Sequence, residues 1–286
     1  MTMTKKTTIA QNNNNNNNNM NMNMNMNMNT TRFRDGGHVK KAANTGDGKM
    51  MATGIETTAR LWRKGHAGDR IVVPRMCLDF GDMAIHLSSE AVASLTSGFH
   101  HQLDRSTVIC ANIDLRQTMP DFSRGAHRLF STPNAGGTSI ISEALSLEVL
   151  HRLFGVDLLK TERELRYAPL SGPITDYSCQ TTRGKHVTLG VSVTRAMAFR
   201  RRFTKDDATK LLTKKLQGIL RSSQTVRNET FDRQVLHVWT ESGTDAAVVR
   251  RVCSKLSDEI KANTFIFVTS INSKTVFCSN NKKKTK

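Results

Sequence analysis

The feature that most limits how this chain can fold is a run of asparagines at residues 12–19, which a Met-Asn alternation extends to Asn29. Such a tract has too little apolar surface to offset the entropy that ordering would cost. Residues 30–66 stay polar and rich in glycine, as in a linker. We therefore predict a disordered, low-complexity arm over residues 1–66. Its Asn/Met tract is either a prion-like self-association segment or a repeat expansion without a role.

The positive charge of the chain is concentrated at its two ends. Of the net charge of +18, the arm carries +7 and a basic tail at residues 280–286 carries +4, which leaves +7 for the domain between them. The tail is interpreted as a nuclear-import signal, an electrostatic anchor or an incidental lysine run. An excess of basic charge indicates an anionic partner, RNA or DNA, and within the domain that inference depends on a local cluster.

Several classes of protein are disfavoured by what the sequence lacks. The five cysteines are far apart and form no CxxC pair, which argues against a disulfide framework or a zinc ribbon. With no secretory leader and no run of about 18 apolar residues, we expect no membrane partner and an intracellular protein, cytoplasmic or nuclear. The GxSxG, GxxxxGK[ST], HExxH and GxGxxG signatures are absent, which disfavours familiar hydrolases, ATPases, zinc proteases and dehydrogenases.

Beyond the arm, helix-like and strand-like segments predict an N-terminal α+β subdomain over residues 67–137 and a core over residues 138–279. A loop with two prolines at residues 117–138 marks the boundary. The predicted core elements are a helix at 138–154, strands at 174–180 and 186–194, a helix at 205–220, a strand at 234–240, a helix capped by Ser242 and a strand at 264–271. This α-β-β-α-β-α-β order and the apolar run of the last strand predict an α/β fold with a mixed sheet.

This order of elements resembles that of the PD-(D/E)XK nuclease-like superfamily, which has a restriction-endonuclease-like fold. In that family an acid on the first helix, an Asp near the start of the hairpin and an acid-x-Lys on the second strand hold a divalent metal. The resemblance implies Glu143 or Glu148 as the helix acid and Asp176 as the hairpin acid. These would be the catalytic residues, with Asp176 as a metal ligand and Mg²⁺ as the cofactor if the site is catalytic.

The second hairpin strand departs from the family pattern. Ser192-x-Thr194 occupies the place of the acid-x-Lys, and Arg195 is the adjacent cation. Mg²⁺ prefers several hard oxygen ligands, and no lysine is present on this strand to orient an attacking water. We therefore predict a degenerate or non-cleaving member. The whole chain also resembles the asparagine-rich proteins of AAC-rich messenger RNA clones, since AAC encodes asparagine.

The densest charge in the domain is Arg200-Arg201-Arg202, between two phenylalanines and just before the helix at 205–220. Further cations nearby are Arg195, Lys205, Lys210, Lys214 and Lys215. This set is interpreted either as a surface that contacts nucleic-acid phosphates or as a solvated basic loop.

The function predicted from these features is that of a nucleic-acid-associated binding protein with a degenerate nuclease-like core. One alternative is an active metal-dependent nuclease that uses a helix Glu and Asp176. Another is a protein-interaction or structural protein whose basic charge serves solubility. His237 lies in a buried-looking strand and is interpreted as a satisfied core histidine rather than a catalyst.

Overall fold

A computed structural model describes residues 76–89, 91–92, 99, 105–133, 139–198 and 200–277. The predicted arm at 1–66 and tail at 280–286 lie outside these residues. The described strands are β1 (Met76–Asp79), β2 (Met83–Leu87), β3 (Thr107–Leu115), β4 (Val156–Thr161), β5 (Tyr177–Thr181), β6 (Thr188–Ala196), β7 (Arg233–Thr240) and β8 (Phe265–Ile271). The described helices are α1 (Arg124–Ser131), α2 (Ile140–Phe154), α3 (Lys205–Thr225), α4 (Gly243–Cys253), α5 (Asp258–Lys261) and α6 (Lys274–Phe277). None of these helices is long and apolar enough to cross a bilayer.

The strands form one mixed sheet in the order β1-β2-β3-β8-β7-β6-β5-β4. Parallel pairing joins β3, β8, β7 and β6. Antiparallel pairing adds β2 and β1 at one side and β5 and β4 at the other. β8 is buried at every position, as expected for a parallel strand covered on both faces, and this explains its nearly continuous apolar sequence. The predicted mixed α/β fold is confirmed.

Alternate residues of the central strands face two separate cores. On one face Val235 and Phe267 belong to a cluster that includes α1 and α2. On the other face Leu236 and Val268 pack with α3 and α4. α2 is buried continuously from Ser142 to Leu150, whereas α3 leaves one side exposed to solvent.

The predicted core order lacked one strand, β4, which pairs antiparallel with β5. α2 ends at Gly155, whose left-handed φ of 60° allows the chain to turn into β4. β4 lies at the edge of the sheet, and its positions 157–160 are at least partly exposed, so its sequence VDLLKT shows no alternation of apolar and polar residues. The helix α1 was also missed, and the segment that forms it was predicted as part of the loop at 117–138.

The sheet continues across the predicted boundary at residue 137. β3 comes from the predicted N-terminal subdomain, yet it pairs in parallel with β8 of the predicted core, from Thr107 beside Phe265 to Ile113 beside Ile271. Residues on both sides of the boundary thus share one sheet. Whether the stretches before and after residue 137 fold as separate units stays a prediction.

Candidate functional site

Asp176 lies immediately before β5, where the chain joins the ladder with β6. Its backbone N–H donates to the carbonyl oxygen of Val191 at 3.0 Å. Its carboxylate Oδ2 accepts a hydrogen bond from the backbone N–H of Val193 at 2.6 Å. The carboxyl group is therefore fixed against the middle of β6, and the role of Asp176 as the acid of the hairpin stays a prediction.

Three charged side chains act on the carboxyl group of Asp176. Burial, first, and the negative charge of Glu143, second, raise the pKa of Asp176 from 3.8 to about 7. The hydrogen bond from Val193 and the positive charge of Lys215 on α3 oppose this rise, while Glu162 adds to it. Glu143 and Glu162 are themselves buried. A carboxyl group with a pKa near neutrality can exchange a proton at physiological pH, as a general acid or base must.

Glu148, the other predicted helix acid, belongs to a different cluster. One of its carboxylate oxygens accepts from Arg152 Nε at 2.6 Å, and the other accepts from the backbone N–H of Ser123 at 2.6 Å. Arg152 also forms two hydrogen bonds to Asp82, in the turn between β1 and β2. These interactions hold α1 and the β1–β2 turn against α2. Of the two alternatives, Glu143 is the one that lies in electrostatic range of Asp176.

The second hairpin strand places no acid beside Asp176. Ser192 and Thr194 of β6 are both buried. Arg195 is directed to the face that carries α2 and α6, where its Nη1 donates to the carbonyl oxygen of Val276 at 3.3 Å. The side chain of Arg195 therefore lies on the opposite face of the sheet from α3, because β6 alternates its side chains between faces. Among the described residues, no group of three or more His, Cys, Asp or Glu side chains is arranged to hold a metal ion.

The predicted arginine cluster is partly neutralised by the helix that follows it. Both terminal nitrogens of Arg201 donate to the carboxylate of Asp207, at 2.5 and 2.7 Å. Asp207 also completes the capping box of α3 with Thr204. These hydrogen bonds, from Arg201 first, hold the pKa of Asp207 well below its ordinary value. Arg200 has a left-handed backbone and Arg202 is exposed, whereas Phe199 lies outside the described residues.

A second set of cations forms a stripe along the exposed side of α3. Lys210, Lys214 and Arg221 are all exposed and are spaced i, i+4 and i+11, which places them on one helix face. The stripe from Lys210 to Arg221 is about 16 Å long at the rise of an α-helix. Lys205 is exposed in the first turn of the same helix. Arg221 was missed because the predicted helix ended at residue 220, and extending the period by one turn would have included it.

His237 is satisfied inside the core, as the sequence predicted. Its Nδ1 lies 2.7 Å from Ser146 Oγ, and its Nε2 lies 3.0 Å from Thr269 Oγ1. Ser146 Oγ in turn lies 2.9 Å from the hydroxyl of Tyr177. Burial lowers the pKa of His237 to about 3. The imidazole is therefore neutral and links α2 to the sheet.

Comparison with known proteins identifies a relative but no family. No family model matches the chain. The AAC-rich mRNA clone AAC4 protein of Dictyostelium discoideum is 40% identical over 154 residues. The match covers 51% of this chain, and the chain spans only 22% of the length of that relative. The expected resemblance to the products of AAC-rich messenger RNA clones is thus confirmed over half of the chain.

Proposed function

We propose that this protein binds nucleic acid through the basic stripe of α3, on a core with restriction-endonuclease-like connectivity. The order α2-β4-β5-β6-α3-β7 supports the second part of the proposal. In this order a helix precedes a hairpin, and a crossover helix precedes a further strand. Asp176 directly precedes β5, and Glu143 lies on α2. RNA and DNA are both candidate partners.

The observation that carries the proposal is the alignment of Lys210, Lys214 and Arg221 on one exposed face of α3. Cations on a rigid helix can contact successive phosphates with little further loss of conformational freedom, and counterions are released from the nucleic acid as they do so. Arg201 contributes less, because its charge is paired with Asp207. The proposed surface is therefore centred on the helix rather than on the arginine loop that precedes it.

Cleavage is not part of the proposal, because the described donor set does not fit a divalent metal site. Mg²⁺ requires near-octahedral coordination by hard oxygens, usually including carboxylates. Here Ser192 and Thr194 occupy the strand positions where the family has an acid and a lysine, and no group of three or more His, Cys, Asp or Glu side chains in the described part is arranged to hold a metal ion. A purified protein that cuts RNA or DNA with Mg²⁺ or Mn²⁺, and loses this activity as D176N, would favour the nuclease alternative instead.

Fluorescence anisotropy with short RNA and DNA oligonucleotides tests the binding surface. The variant K210A/K214A/R221A removes the stripe, and R124A/R183A/K185A is the matched control, since it removes three exposed cations from α1 and the β5–β6 turn. We expect the stripe variant to weaken binding at least about tenfold at low salt and the control to bind like wild type. The variant R200A/R201A/R202A should weaken binding less than the stripe variant. Equal losses in the stripe and control variants would show that binding depends on net charge alone.

A further inference from the structure

The connection between β4 and β5 crosses α3 and is fastened there at its first end. The backbone N–H of Ala168 donates to the carbonyl oxygen of Thr225, at the last residue of α3, at 2.9 Å. Arg227 Nη2 donates to the carbonyl oxygen of Ala168 at 3.1 Å. Tyr167 forms an isolated β-bridge with Val226. The chain therefore enters this connection in a fixed position beside the end of α3.

The other end of the connection is fastened to the same helix. Thr175 Oγ1 donates to Ser222 Oγ at 3.2 Å, and the backbone N–H of Thr175 donates to the Tyr167 hydroxyl at 2.9 Å. Pro173 lies directly over Gly218, since a Cβ atom at Gly218 would come within 3.3 Å of the Pro173 Cβ. The two ends of the connection are thus clamped over the last two turns of α3, and only a short tip lies between them.

The tip presents a leucine almost wholly to solvent. Leu170 is 92% exposed, whereas the other exposed large apolar side chains of the described part are only 37% to 41% exposed. A single exposed leucine is common on protein surfaces and needs no special role. Leu170 differs because both ends of its connection are fastened to the end of α3 and its side chain is almost wholly exposed between them.

Three exposed arginines lie in the chain segments that fasten the tip to α3. Arg166 and Arg227 are exposed and are joined by a backbone hydrogen bond of 2.8 Å from Arg227 N to Arg166 O. Arg221, the last member of the stripe, is exposed and immediately precedes Ser222, one of the residues that clamps the connection. Arg227 contributes one of its five N–H groups to Ala168, so others remain to contact a ligand. The tip therefore combines an exposed apolar side chain with exposed arginines in the segments that fasten it.

We infer that Leu170 is a wedge that inserts between stacked bases of a bound nucleic acid while Arg166, Arg221 and Arg227 contact the flanking phosphates. The inference rests on the proposed function and assigns to it a second contact, at the end of the stripe. Apolar wedges that enter a base step unstack it and bend the duplex, and the neighbouring cations offset the cost. An anionic membrane is the less suitable partner, because bilayer attachment requires a larger buried apolar area than one leucine offers.

The test uses a duplex in which the fluorescent analogue aminopurine replaces the adenines of one strand. Its fluorescence measures the unstacking of bases, and the anisotropy of the same duplex measures affinity. The variants are L170A and, as the matched control, M197A, which truncates an exposed apolar side chain elsewhere. We expect the wild-type chain and M197A to raise aminopurine fluorescence. L170A should abolish this rise and weaken binding by about tenfold or less, with an unchanged salt dependence.

Each other outcome would overturn the wedge. If L170A raises the fluorescence as the wild type does, or if no variant changes it although the duplex is bound, the wedge is wrong and the proposed function stands. If the chain binds neither RNA nor DNA, both are wrong. Binding to phosphatidylserine vesicles that L170A abolishes, without any aminopurine response, would assign Leu170 to a lipid surface instead.

Discussion

The carboxylate of Asp176 accepts a hydrogen bond of 2.6 Å from the backbone N–H of Val193, and this bond fixes a half-buried acid against the middle of β6. Burial and the nearby charge of Glu143 both disfavour the ionised form of this carboxyl group. An acid in such a position lowers the stability of the folded state at neutral pH. This loss of stability can be measured without any ligand, so it tests the Asp176 site independently of the basic stripe.

The first prediction concerns the pH dependence of stability at Asp176. Because its pKa is raised from 3.8 to about 7, the folded state retains a proton that the unfolded chain has released. Stability relative to D176N is therefore fully present below pH 3.8 and is lost as pH rises through 7. We expect the difference in unfolding free energy between wild type and D176N to change by on the order of 2 to 4 kcal/mol across this range. Urea unfolding at several pH values measures it, and parallel profiles for the two proteins would contradict the shift.

The second prediction concerns the buried cluster of Glu148, Arg152 and Asp82. E148Q leaves the guanidinium of Arg152, whose side chain is only 11% exposed, with one carboxylate fewer. Removing one partner of a buried pair costs about 3 to 5 kcal/mol. D258N is the matched control, because it breaks an ion pair with Lys261 in which the aspartate is exposed. We expect urea unfolding to show a large loss for E148Q and none for D258N. An E148Q protein as stable as wild type would mean that this cluster does not hold α1 to α2.

The Asp82 carboxyl group belongs to the same cluster and adds a distinct pH effect. The hydrogen bonds from Arg152 are the main cause that lowers its pKa from 3.8 to about 2. The stability that it contributes is therefore present above pH 3.8 and lost as pH falls through 2. The unfolding free energy of wild type should therefore fall as pH drops from 3.8 to 2, and that of D82N should lack the part of this fall that is due to Asp82.

His237 gives a prediction that does not involve a variant. Its burial, with hydrogen bonds to Ser146 and Thr269, lowers its pKa to about 3. Because the unfolded chain binds the proton more tightly, the contribution of this group to stability falls as pH drops below 6.5. NMR of the imidazole should show a neutral ring that does not titrate between neutral pH and the onset of acid unfolding. A midpoint near 6.5 would contradict its placement in the core.

Gly190 tests the packing of β6 against the loop before β7. A Cβ atom at this position would lie 2.7 Å from a ring carbon of Phe231 and 2.8 Å from the side-chain oxygen of Gln234. Overpacking of this kind typically costs about 1 to 3 kcal/mol, which is the loss that we expect for G190A. Gly243 has no neighbouring atom within 4 Å of such a Cβ, so G243A is the control and should fold with at least wild-type stability. Equal thermal midpoints for the two variants would argue against this contact.

The elements that the sequence predicted well are those with strong local signals. The capping box of Thr204 and Asp207 begins α3, and the apolar run of β8 marks a strand covered on both faces. β4 carries no such signal, because an edge strand with exposed central positions need not alternate. Local patterns therefore identified the central strands of the sheet and missed β4, one of its two edge strands.

The candidate site was less predictable because its members depend on tertiary contacts. Glu143 and Glu148 are both buried on α2, and only the packing of α1 shows that Glu148 is held by Ser123, in addition to its bond with Arg152 on α2 itself. Likewise Arg195 and the lysines of α3 are close in sequence but lie on opposite faces of the sheet. A cluster of charged residues in a sequence thus shows only that the charges are close along the chain. The fold determines which of them share a surface.

The central claim is that Lys210, Lys214 and Arg221 form the phosphate-binding surface. Its most direct test is the dependence of the binding constant on salt concentration, measured by anisotropy with one duplex for wild type and K210A/K214A/R221A. If each cation contacts a phosphate, the logarithmic slope of the variant should be smaller in magnitude by about 2 to 3, since each contact contributes about 0.9 for B-DNA. The control R124A/R183A/K185A should keep the wild-type slope. An unchanged slope for the stripe variant would contradict the claim.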